Sequence, residues 1–322
     1  MLKYICLLFF IEILATAQSN YIDQGHAKLS ELVTELGTTI DQRVQEHLLN
    51  ANTTKTNEKN ERIDRFFQNK KYINTTKKAY IRLRFTNSFA SKDPRTLNFH
   101  IRAQLPLRSL NEAFKLFIDN QSNNYLKDST QEYTQQNAVA VGINFFATLK
   151  HAVESKYSIG IRSTELFAQA IYSKKYYSGA WKIEPQQLFE YTSKNIFSEE
   201  TNIYFDHKYN TQELLRIGIH RATEQKHAGM DYGSHITYYH SLSNRRGYSF
   251  GEYLHGNTQY KDGSSKYPGI YEYATAFNWR EQIYRKWILY EIQPILSFHK
   301  KHDYKANYIL QANIEFYFGG GY

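Results

Sequence analysis

The feature that most constrains this chain is a two-residue alternation of apolar and polar side chains, sustained for about ten residues at a time. Ala79, Ile81, Leu83 and Phe85 alternate with Tyr80, Arg82, Arg84 and Thr86. Leu97, Phe99, Ile101, Ala103 and Leu105 alternate with Asn98, His100, Arg102 and Gln104. The pattern returns at 215–220, 271–278 and 308–318. Residues i and i+2 share a face of a strand, so each run has one apolar and one polar or charged face. Soluble strands average about five or six residues, whereas a tilted strand that crosses a bilayer needs about ten. In hydrocarbon only a closed barrel pairs every backbone group of such strands.

Composition supports this direction. The 322 residues include 28 Tyr and 20 Phe, an aromatic load that suits girdles at two membrane interfaces. A soluble β-sandwich would explain the alternation but not the strand length. The predicted fold is all-β: a transmembrane antiparallel up-and-down β-barrel over residues 76–322, preceded by a short α-helical segment. At about 20 residues per strand and connection, it should have about 12 strands, within a range of 10–14. Turn-rich stretches such as Lys92-Asp93-Pro94 and Asp262-Gly263 separate the runs.

Residues 1–17 (MLKYICLLFFIEILATA) read as an export signal. Lys3 precedes an apolar stretch, and Ala15-Thr16-Ala17 forms a cleavage site. The single cysteine, Cys6, would leave with it. Residues 18–75 are predicted to be a periplasmic helical arm and linker. Leu29, Leu32, Leu36, Ile40, Val44 and Leu48 fall at steps of three or four, one face of an amphipathic helix. That face would pack on a neighbour or form a short coiled coil. The polar stretch at 50–60 would then make the arm separable from the barrel.

Three stretches resemble an uncharacterised family of Gram-negative outer-membrane β-barrel proteins with an N-terminal periplasmic helical arm. They are Arg62-Ile63-Asp64-Arg65-Phe66-Phe67, Leu105-Pro106, and Arg285 to Pro294 (RKWILYEIQP) followed by Ile314-Glu315-Phe316. The resemblance implies the fold and a bacterial outer-membrane location but no reaction. Read physically, Trp287 suits a headgroup level, and Pro294, which lacks a ladder donor, suits the opposite rim of the same strand. Ile314, Phe316, Phe318, Gly320 and Tyr322 share one parity. A terminal aromatic after alternating apolar residues resembles the signal that such barrels present to the barrel assembly machinery.

The net charge of +9 admits nucleic-acid binding or a basic interior. No compact basic helix favours the first. By strand parity Arg82, Arg84, His100, Arg102, Lys156, Arg162, Arg216 and His220 point inward, opposed by Glu272, Glu291 and Glu315. These are the candidate lumen-lining charges. They would either fill a narrow barrel with ion pairs or line a pore favouring a small anionic solute. On the other parity, Ile217, Leu310 and Ile314 should meet outer-membrane lipid, while Gly218 and Asn313 should tolerate a charge.

The expected function is therefore structural, or a small passive pore with a cationic lumen. The alternatives are a lipid hydrolase and a protein that binds through surface loops such as 222–234. His240 is the tempting catalytic histidine. However, Ser241 and Ser243 stand one and three residues on, which puts them on the opposite strand face. No catalytic residue, cofactor or metal site is predicted. His220, His227, His235 and His240 cluster in sequence without a metal-binding spacing.

Overall fold

The computed structural model describes residues 19–47, 63, 66–67, 79–107, 113–120, 139–193, 196–226, 228–262 and 265–319. The expected leader, the 50–60 linker, His227 and the last three residues lie outside them. Helix α1 (Ser19–His47) precedes a run of antiparallel strands. In chain order these are β1 (Tyr80–Ala90), β2 (Thr96–Leu107), β3 (Phe114–Asp119), β4 (Ala140–Leu149), β5 (Val153–Arg162) and β6 (Glu165–Ser173). They continue with β7 (Trp181–Thr192), β8 (Ile196–Lys208), β9 (Glu213–Glu224), β10 (Met230–His240) and β11 (Arg246–Asp262). The last three are β12 (Ser265–Gln282), β13 (Ile288–His299) and β14 (Asn307–Gly319). The short Tyr176–Ser178 segment continues β6, since both pieces pair with β7.

Each strand pairs with its sequence neighbours, β1 pairs with β14, and the β6–β7 pairing leaves no edge. The barrel is closed, and among the described residues it has fourteen strands rather than about 12. The reason is short connections. The 240 residues from Tyr80 to Gly319 divide among fourteen strands at about 17 each, in place of the expected 20.

The two faces of the wall are inverted relative to a water-soluble protein. Phe85, Phe89, Leu97, Phe99, Val141, Ile159, Ile219, Ile236, Leu310 and Ile314 are exposed. Arg82, His100, Glu200, Asp206, Arg216, Glu272, Arg280 and Glu315 are buried. In a closed barrel a buried side chain faces inward, so alternation sends charge in and hydrocarbon out. Outward aromatics meet across strands: Phe85 and Phe99 are in register, with ring centroids 5.0 Å apart. Such cross-strand pairs are worth a few tenths to about 1 kcal/mol each.

Two expectations are revised here. Pro294 is not at a rim: it sits mid-strand opposite Leu310. Its missing N–H falls where the β12–β13 ladder lapses, between the pairs Ala276–Ile295 and Trp279–Ile292. The second concerns α1. It forms as its periodicity predicts, but Leu29, Leu32 and Leu36 are exposed, while His26, Val33 and Gly37 are buried. The docked face is chosen by fit. His26 stacks on Trp287 at 4.1 Å and donates to the Tyr317 carbonyl at 2.7 Å. A Cβ on Gly37 would already touch Ala79 and Leu105.

Candidate functional site

Among the described residues the charged side chains concentrate on the inner wall, and strand register builds it. Pairing of β1 with β14 puts Arg84 opposite Glu315, and pairing of β12 with β13 puts Arg280 opposite Glu291. These four side chains form one ionic cluster. Arg84 donates to Glu315 at 2.6 Å and reaches Glu291 at 3.4 Å. Arg280 donates to Glu315 at 2.7 and 3.1 Å and to Glu291 at 2.8 Å. The Tyr317 hydroxyl donates to Glu315, and the Asn313 amide donates to Glu291 at 2.9 Å. Arg280 and Glu315 are 0% exposed. Buried charges are tolerable only when the remaining lone pairs and protons are matched, and here two arginines share two carboxylates.

A second group lies on β7, β8 and β9. Arg216 grips Asp206 with two bonds of 2.6 and 2.9 Å, and Lys182 joins Asp206 at 3.0 Å. His220 Nδ1 hydrogen-bonds Asn202, with Glu200 3.7 Å away. A third stretch of wall carries separate pairs. Arg102 meets Asp119 at 2.6 Å, and Arg162 forms a fork on Glu190 at 2.8 and 3.0 Å. Lys156 is half-buried on β5. His100 and Arg82 are buried on β2 and β1, and Arg82 lies in register with Arg102. Glu272 is buried, accepts from Ser297 at 2.6 Å and stands opposite His255 and His299. The structure thus brings Arg84, Glu291 and Glu315 together. It leaves Arg162, Arg216 and Glu272 in separate groups.

Sequence reasoning missed Arg280, Lys182 and Lys115 among the bases. Among the acids it missed Asp119, Glu184, Glu190, Glu200 and Asp206. The parity that located Glu272 reaches Arg280 if carried eight residues further, and Asp206 alternates with Ile203 and Phe205 in the same way. Adding these residues turns six bases against three acids into nine against eight. Glu154, Glu165 and Asp231 lie on the same inward parity, so no cationic excess remains.

The lumen is also filled from the end where α1 lies. Ile63, Phe66 and Phe67 pack against Leu214 and Tyr239, and Gly247 leaves room for both phenyl rings. Leu214, Tyr239 and Gly247 all belong to the inward parity. Ile63, Phe66 and Phe67, between α1 and β1, therefore sit in the mouth. Deeper in, Ala274, Ala276, Ile295 and Ile309 form a small apolar cluster on the inner side.

The His240 region is engaged structurally. His240 lies 3.3 Å from Glu213 and stacks on Tyr248. The Ser241 hydroxyl donates to the Ser243 carbonyl, and the Ser243 hydroxyl accepts from the Arg245 and Arg246 amides. Both hydroxyls serve the turn. Among the described residues no three His, Cys, Asp or Glu side chains are grouped to hold a metal ion.

No protein-family profile and no curated protein matches the chain. Several solved outer-membrane barrels do. The anion-selective porin from Comamonas acidovorans is 7% identical, with a TM-score of 0.45, covering 74% of this chain and 98% of its own. The outer membrane channel DcaP of Acinetobacter baumannii is 8% identical, with a TM-score of 0.44 and coverages of 75% and 96%. The NanC porin is 7% identical, with a TM-score of 0.38 and coverages of 73% and 98%. At these identities and scores the likenesses carry no argument about substrate or mechanism.

Proposed function

We propose that this chain is an outer-membrane β-barrel protein that acts structurally or as a narrow passive pore, and that it carries out no reaction of its own. One observation carries the reading: a closed barrel with an exposed apolar exterior and a buried, ion-paired interior. Water would leave that exterior unstable against aggregation, whereas lipid would cover it. The outward row Ile314, Phe316 and Phe318 on β14 supports recognition by the barrel assembly machinery. Residues 1–17 are assigned as the export signal and α1 to the periplasmic side. The near balance of lumenal charge supports only a weak ion selectivity. Ile63, Phe66 and Phe67 in the mouth support a low conductance.

The test is fractionation combined with gel mobility and planar-bilayer recording. The protein should travel with the outer membrane and migrate faster unboiled than boiled. It should show small conductance steps, or none, that grow when Phe66 and Phe67 are both replaced by Ala. Complete extraction with periplasmic proteins would overturn the reading.

A further inference from the structure

α1 crosses the ends of the strands on the outside of the wall. His26 lies against Phe318 of β14 and against Trp287, just before β13. Val33 lies beside Gly319, and Gly37 beside Ala79 and Leu105, at β1 and β2. Successive turns of the helix therefore meet successive strands, so its axis runs around the rim and not along the strands. Phe318 and Leu105 share the outward parity of Leu310 and Leu97, which places the helix where the barrel's apolar belt ends. Asp23 pins the first turns to Arg285 through paired bonds of 2.5 Å.

The docked stripe leaves two unequal flanks. At about 100° per residue, Leu29, Leu32 and Leu36 lie roughly a quarter turn to one side, each 50–53% exposed. The opposite flank carries Thr34 and Thr38, whose hydroxyls donate back to the Ser30 and Glu35 carbonyls. We propose that α1 is an in-plane membrane helix, with its Leu29–Leu32–Leu36 flank set among the phospholipid acyl chains of the leaflet at this rim, next to the barrel's own lipid-facing belt. The proposal rests on the membrane reading above. It follows from continuity: a helix lying flat against the outer wall exposes its leucines beside a surface that lipid already covers. Amphipathic helices with one apolar face bind at this depth.

The test uses the full chain carrying Cys6→Ser, so that an introduced cysteine is unique. An environment-sensitive fluorophore is placed by Leu32→Cys, and separately by Leu29→Cys, Glu35→Cys and Leu310→Cys. Each protein is refolded at low protein-to-lipid ratio into phosphatidylethanolamine–phosphatidylglycerol vesicles, with or without acyl-chain-brominated lipid. Labels at 29, 32 and 310 should be quenched several-fold more than the label at 35. Quenching at 310 without quenching at 29 or 32 would overturn the helix proposal alone. No quenching at 310 would overturn the membrane reading itself. Dilution-sensitive energy transfer between labels at 32 in place of lipid quenching would show a second copy on the leucines, and would also overturn the proposal.

Discussion

Opposite stretches of one inner wall handle charge in different ways. Where β12, β13, β14 and β1 meet, Arg84, Arg280, Glu291 and Glu315 share their bonds, and the arginine and glutamate at the centre are sealed from solvent. Between β5 and β7 the Arg162–Glu190 pair is joined by Gln169, which donates to Glu190 at 3.0 Å, and by Glu165 in register with Arg162, and the Arg162 side chain is 29% exposed. A sealed charge loses its hydration and must recover it from partners. A wet pair gives up little and gains little. The first stretch therefore behaves as a structural seam that closes β14 onto β1. The second holds its pair closer to solvent, at the strand end where Arg162 closes β5.

The strongest test of this contrast is Glu315→Gln. It leaves Arg84 and Arg280 sharing one carboxylate, and it should cost about 3–5 kcal/mol, as removal of one partner from a buried pair does. Denaturant unfolding of the barrel in detergent measures it. A cost near that of an exposed pair would erase the distinction between the two stretches.

The adjacent position gives an internal control on the other face of the same strand. Ile314 is exposed on the outer wall. Ile314→Arg should cost about 2–4 kcal/mol if it lies at mid-membrane, and only when refolding takes place in lipid vesicles. The inward neighbours are poor tolerant controls, contrary to the alternation-based expectation. Asn313 is buried and holds Glu291. A Cβ on Gly218 would fall inside the His235 ring.

On the wet side, Glu190→Gln should cost at most about 1 kcal/mol. Its effect should appear in permeation, because removing one acid beside Arg162 shifts the reversal potential in a salt gradient towards anions. Glu291→Gln, inside the seam, should leave selectivity unchanged. Equal shifts from both would show that the seam is also wet.

The smallest effect concerns a clasp at the far end of the barrel. Asp93, in the β1–β2 turn, meets Lys301 at 2.7 Å and His302 at 3.3 Å and accepts from the Asn307 amide at 2.8 Å. Partial burial alone would push its carboxyl up; the bond and charge of Lys301, with those of His302, outweigh burial and hold it below the ordinary carboxylate value. Its folded value lies below its unfolded one. The clasp is therefore fully in force above about pH 4 and fades as pH falls through the lowered value. Amide exchange in the two turns should rise there, and Asp93→Asn should remove that pH dependence.

How much of this was legible beforehand varies by element. The alternation at Tyr80–Phe85, Tyr271–Phe277 and Tyr308–Phe318 was enough to assign faces, because the Cβ direction reverses at every residue of an extended chain whatever its neighbours do. That local rule fixed all-β structure and an apolar exterior. It could not say that Arg84 meets Glu315, since the partners are 231 residues apart and their register depends on ring closure. Nor could it show that fourteen strands fit, because connection length is not periodic. For α1 the pattern gave the helix and its leucine stripe. The tertiary structure chose a different stripe for docking, because stacking of His26 on Trp287 and the close approach at Gly37 depend on shape, which hydrophobic periodicity does not encode.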